Sequence, residues 1–149
     1  MDVVDAKTRS AMMSGIRGKN THPEILLRKY LHARGFRFRL HVKDLPGTPD
    51  IVLPRYRLCI FVHGCFWHRH LNCPYAATPK SNTEFWLQKF TTNTIRDEKA
   101  EYMLRQAGWR VFEIWECGLK GSDDSTLDWL PATIRGVTTS LSWPDYPNR

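Results

Sequence analysis

The sequence has no apolar run approaching the roughly 20 residues that a membrane-spanning helix needs. Its opening residues, MDVVDAKTRS, lack the apolar core of a secretory signal. An intracellular, cytoplasmic protein is therefore expected, and in that compartment thiols stay reduced. With only four cysteines, a disulfide scaffold is excluded, and the thiols point to metal or core instead. No repeat or low-complexity segment appears. Acidic residues are in deficit, 15 against 22 Lys and Arg, for a net charge of +7. That balance favours an anionic partner, most often nucleic acid.

What is present is ordinary globular material: 42% hydrophobic and 25% charged over 149 residues, enough for one domain with a real core. Residues 1–20 carry Lys7, Arg9, Arg17 and Lys19 and read as a basic arm or short helix. Residues 21–135 read as the single domain, and 136–149 as an irregular tail. Thr21 and Glu24 have capping-box spacing ahead of Leu27, Tyr30 and Leu31, with Gly35 as the stop. In FRFRLHVK, apolar and basic residues alternate from Phe36 to Lys43, which predicts a strand with one basic face. Two more strands follow, Ile51 to Leu53 and Leu58 to Val62. Ser81 and Glu84 form a second capping box, opening a helical region to Ala107 that Thr91-Thr92-Asn93-Thr94 should break in two. Trp109 to Trp115 reads as a strand and Thr126 to Ile134 as a short helix. The order implies an α/β domain with a mixed sheet.

HGCFWHRHLNC, residues 63 to 73, concentrates the candidate chemistry. Cys65, His70 and Cys73 at short spacing, with Cys117 after the last strand, suit tetrahedral Zn²⁺ in a closed structural site. Cys59, inside an apolar strand, is core. His63 and His68 are then left over: a histidine near a metal-bound water can serve as general base, and His68 could equally be a spare ligand or a phosphate donor. Asp50 stands where the chain enters a strand, a place where nucleases hold Mg²⁺ through carboxylates. The Glu-x-Lys that often follows is absent, with His63 in the Lys place, and an aspartate after Gly-Thr-Pro is also an ordinary turn residue. Phe66-Trp67 and Phe85-Trp86 fit either core packing or a wedge between bases. Glu24 and Asp97 have plain readings, as a cap and as a solvated helix face.

Taken together, RSAMMSGIRGKNTHPE, LPGTPDIVLPRYR, IFVHGCFWHRH, NTEFW, IRD and GWRVFEIWEC closely resemble the very-short-patch-repair (Vsr) endonuclease family. The resemblance runs from about Arg9 to Cys117, and nothing is carried over beyond it. It implies a restriction-endonuclease-like core: a mixed β-sheet flanked by helices, plus a structural zinc site. It implies nicking of double-stranded DNA 5′ to the thymine of a T:G mismatch left by deamination of 5-methylcytosine. By position, Asp50 and the carbonyl of Val62 would hold Mg²⁺, and His68 would be the base. His63 and Asp97 would assist, with Glu24 acting through the water around the metal. The zinc ligands would be Cys65, His70, Cys73 and Cys117. Phe66, Trp67 and Trp86 would form the wedge, and Met13 would intercalate from the opposite groove. A monomer is expected, with functional links to a DNA cytosine methyltransferase and a repair polymerase. Two other readings stay open: a restriction-type nuclease on matched DNA, and a zinc-stabilised DNA-binding module without catalysis.

Overall fold

Residues 21–123 and 125–146 are described by the computed structural model; the basic arm and Met13 lie outside them. One five-stranded mixed sheet carries the fold, with strand order following chain order. β1 (Arg39–Leu40), β2 (Ile51–Leu53) and β3 (Leu58–His63) are joined by antiparallel pairing, and β4 (Arg110–Trp115) and β5 (Ser140–Trp143) run parallel to β3. Parallel neighbours need crossovers. The first crossover contains α2 (Cys65–His68) and α3 (Thr83–Gln106), and the second contains α4 (Glu116–Leu119) and α5 (Leu130–Arg135), while α1 (His22–Ala33) precedes the sheet.

Alternation along β3 and β4 separates two cores. Leu58, Ile60, Phe112 and Ile114 pack with Leu27 and Leu31 of α1 and with Leu130 and Ile134 of α5. On the other face, Cys59, Phe61 and Val111 pack beneath Leu104 of α3. Each fully buried leucine contributes about 1.5–3 kcal/mol. This second face continues toward the strand ends with His63, Glu113 and Trp115, and there it turns polar. Phe61 pairs with Glu113 and His63 with Trp115 in the parallel register.

Four local expectations are overturned. The strand expected from Phe36 to Lys43 is only the two residues of β1, because His41 turns the chain at φ 48°. Neither capping box forms its side-chain bonds: Thr21 and Asn82 are the N-caps, and neither makes one. Helix α3 is continuous through 91–94. Thr92 bonds back to the Gln88 carbonyl at 2.9 Å, and buried Asn93 is held by a bond to the Trp67 carbonyl, so tertiary contact outweighs weak propensity. Within the stretch read as an irregular tail, Ser140–Trp143 extend the sheet as β5.

Candidate active site and metal cluster

Asp50 precedes β2, and its Oδ2 accepts the Val62 N–H at 2.8 Å. The antiparallel register, Ile51 opposite Ile60, brings it beside the end of β3. Glu24, in the first turn of α1, is buried, and its carboxylate is near enough to that of Asp50 to bear on its charge. His41 Nε2 lies 2.5 Å from Glu24 Oε1. Burial pushes the Asp50 carboxyl up to about 7; the Val62 N–H and His68 oppose this, and Glu24 adds to it. One donor atom each from Glu24, His41 and Asp50 lie within 4.8 Å of one another. A cation there would relieve carboxylates that burial penalises, and the oxygen donors suit a hard ion.

Helix α2 presents His68 to the same cleft. It begins with Cys65 N–H donating to Glu116 Oε1 at 3.3 Å and ends where Arg69 turns left-handed. The Arg69 guanidinium then ties the following loop through the carbonyls of Phe66, Ala76 and Ala77. His68 Nδ1 lies 2.5 Å from Asp97 Oδ2 of α3. The His63 ring stacks on His68 with centroids 4.0 Å apart and planes 6° from parallel. Burial, then the neighbouring His68 charge, holds His63 well below the usual histidine range, so its ring is neutral. Asp50, Glu24, His63, His68, Trp67 and Asp97 line one cleft of about 250 Å³. An oriented imidazole near a cation-ready carboxylate is suited to taking a proton from water.

Beyond α2, Cys65, His70, Cys73 and Cys117 bring their ligand atoms within 4.8 Å of one another. Cys117 Sγ is 3.3 Å and Cys65 Sγ 3.7 Å from His70 Nδ1. Ligand bonds of about 2.0–2.3 Å in a tetrahedral site put neighbouring donors about 3.3–3.8 Å apart, so the set fits one ion. His70 Nε2 donates to the Pro144 carbonyl at 2.7 Å, which leaves Nδ1 free to ligate. Its ring stacks on Trp115 at 4.3 Å, and Tyr146 OH donates to Cys117 Sγ at 3.3 Å. All four cysteines are free, and Cys59 lies apart in the core, as expected. Burial raises the Cys65 and Cys117 thiols; neighbouring thiols add to the rise at Cys65, whereas at Cys117 the Tyr146 hydroxyl and Cys65 oppose it. A cation reverses that by binding thiolate.

Trp86, Phe90, Asn93 and Asp97 recur at helical spacing on α3 and face α2. Phe66 lies 5.1 Å from Trp67 and 5.5 Å from Trp86 between ring centroids, and Trp67 lies 5.6 Å from Trp86. These rings are part-exposed, and Phe85 beside Trp86 is exposed. The expected wedge residues Phe66, Trp67 and Trp86 therefore form one aromatic cluster at the cleft; Met13 lies outside the described residues. Arg37, Arg39 and Lys43 are exposed. Sequence reasoning missed His41, which looked like part of a basic strand face, and Tyr146, placed in a tail. No local signal marks either.

Residues 1–74 match the family described as DNA mismatch endonuclease Vsr. The chain is 46% identical over 136 residues to the type II nicking enzyme V.XorIIP of Xanthomonas oryzae pv. oryzae, covering 91% of this chain and 96% of that protein. It is 47% identical over 119 residues to the type II nicking enzyme V.NmeAIP of Neisseria meningitidis, covering 80% and 84%. It is 43% identical over 125 residues to the DNA mismatch endonuclease Vsr of Escherichia coli K12, covering 84% and 80%.

Proposed function

The chain belongs to the Vsr family of DNA mismatch endonucleases and is a nicking endonuclease acting on DNA; from that membership we propose that it cuts at T:G mismatches with Mg²⁺. The cut falls 5′ to the mismatched thymine, left by deamination of 5-methylcytosine, and starts very short patch repair. The observation carrying this reading is that Asp50 and the His68–Asp97 pair line one cleft flanked by part-exposed aromatic rings.

Asp50, with the Val62 carbonyl, would hold Mg²⁺, and Glu24 adds a second carboxylate, braced by His41. Bound there, Mg²⁺ supplies positive charge for the scissile phosphate and eases deprotonation of water. His68 takes the proton from the attacking water. Asp97 holds its ring through Nδ1 and stabilises the imidazolium that forms. His63, neutral and stacked against it, assists. Phe66, Trp67 and Trp86 unstack the duplex beside the mismatch, which costs less at a weakened T:G pair. Met13 would enter from the opposite groove.

The zinc set, Cys65, His70, Cys73 and Cys117, is structural, since four protein ligands leave no open position. The mixed sheet with Asp50 at a strand start supports a restriction-endonuclease-like core. The enzyme acts as a cytoplasmic monomer, following a DNA cytosine methyltransferase and preceding a repair polymerase.

Nicking of two duplexes of one sequence, differing only by T:G or C:G at one position, tests this. Cutting confined to the T:G duplex, lost in Asp50→Ala with DNA binding retained, is expected. Equal cutting of both duplexes would sink the mismatch assignment in favour of a nuclease for matched DNA.

A further inference from the structure

Nδ1 of His63 is a buried nitrogen that makes no hydrogen bond, on a residue only 5% exposed. It faces Glu113 Oε2 at 3.7 Å. The juxtaposition follows from the sheet: parallel pairing sets Glu113 opposite Phe61, so Glu113 and His63 project from the same face of adjacent strands. Helix α3 closes that face, and its Glu101 adds to the rise that burial imposes on the Glu113 carboxyl. Closing the gap to hydrogen-bond length needs a shift of under about 1 Å, within the reach of a Glu side chain.

The neighbouring ring has the same arrangement already closed. His68 sets its Nδ1 on Asp97 Oδ2 at 2.5 Å, and His63 stacks parallel to it with its own Nδ1 toward Glu113. Two stacked imidazoles thus each turn the same nitrogen to a carboxylate.

We propose that Glu113 is a positioning residue for His63: its carboxylate accepts the Nδ1–H, fixing that tautomer and leaving the Nε2 lone pair available. A hydrogen bond at one ring nitrogen decides which nitrogen keeps the proton. Glu113 therefore sets the chemical character His63 presents to the cleft without touching DNA. The inference rests on the reading that His63 assists hydrolysis.

Nitrogen-15 NMR of the zinc-loaded protein with labelled histidine tests the contact directly, the His63 signals being assigned by their loss in His63→Gln. The expected result is the Nδ1–H tautomer in the parent and in Glu113→Gln, whose amide oxygen still accepts, and its loss in Glu113→Leu. Kinetically, Glu113→Leu should lower kcat for T:G nicking about 10-fold with KM unchanged, and Glu113→Gln should restore most of it. Glu113→Gln removes one carboxylate from a crowded group and keeps an acceptor, so it should not melt below the parent. An Nε2–H tautomer in the parent overturns the proposal even if neither Glu113 variant folds. An unchanged tautomer in a folded Glu113→Leu overturns it too. A switched tautomer with unchanged kcat upholds the contact and refutes the assisting role of His63.

Discussion

Asp50→Asn should cost the protein its nicking activity and make it more stable, by an amount that depends on pH. The folded chain keeps a proton on Asp50 up to about 7, against an ordinary 3.8. Between those values the folded state holds more protons than the unfolded chain, so raising the pH through this window weakens the fold. Above it, the parent carries the whole penalty of a desolvated carboxylate. Asn at 50 still accepts the Val62 N–H and has nothing to ionise. At roughly 1.4 kcal/mol per tenfold change in proton affinity, the full rise is about 4 kcal/mol. Between pH 5 and pH 8 some 2–3 kcal/mol of it is expressed, or about 2 kcal/mol after allowing for partial exposure.

For a chain of this length that corresponds to a gap in Tm widening by about 4–8 °C from pH 5 to pH 8. Thermal melts of parent and Asp50→Asn in Mg²⁺-free buffer at constant ionic strength measure it. Adding Mg²⁺ at pH 8 should then raise the Tm of the parent and leave that of the variant where it was. A gap that stays constant across pH would refute the reasoning, because Asp50 would then ionise as freely folded as unfolded.

His41→Gln should lower T:G nicking about 10-fold while leaving the melt close to the parent's, since the His41–Glu24 contact braces one carboxylate rather than a core; unchanged kinetics would count against that bracing. Cys117→Ser should drop bound zinc well below one equivalent by metal analysis, with a lower Tm, and a variant retaining full zinc would remove Cys117 from the ligand set. Trp67→Ala should weaken binding to a T:G duplex by about 1–3 kcal/mol, using the loss of one base–aromatic stack as the guide, and shrink the preference over C:G; equal loss on both duplexes would make the ring a general contact.

The strands β2, β3 and β4 were legible because each is a short apolar run bounded by turn residues, and pairing among them needed only that pattern. FRFRLHVK carried an equally clear alternation and failed. The left-handed turn at His41 breaks the strand, although the His41 and Val42 N–H groups still reach the carbonyls of Asp50 and Pro49. The segment 91–94 failed in the opposite sense, since the bond from Asn93 to the Trp67 carbonyl is invisible until α2 and α3 are packed. SLSW in β5 had the period of a strand and could have been found from its alternation. In the site, spacing alone grouped Cys65, His70 and Cys73, which share a loop. Pairs such as His68 with Asp97, or His41 with Glu24, are separated by a helix or a strand turn and needed the fold. Glu113 shows the limit: in a strand sequence it reads as one more outward position, and only α3 makes it an inward one.

Helix α2 is only four residues long, yet Cys65, Phe66, Trp67 and His68 are its whole content. The proposed zinc ligand, the two proposed wedge rings and the proposed base are therefore bonded neighbours, 100° apart around one turn. Substitution here changes one part at a time, but insertion or deletion changes all of them, since one added residue after Cys65 would rotate every later side chain into its neighbour's direction. The segment should accept many single replacements that alter rate or specificity, and no change of length. A scan of single-residue insertions across 60–75 should find its sharpest intolerance in this one turn.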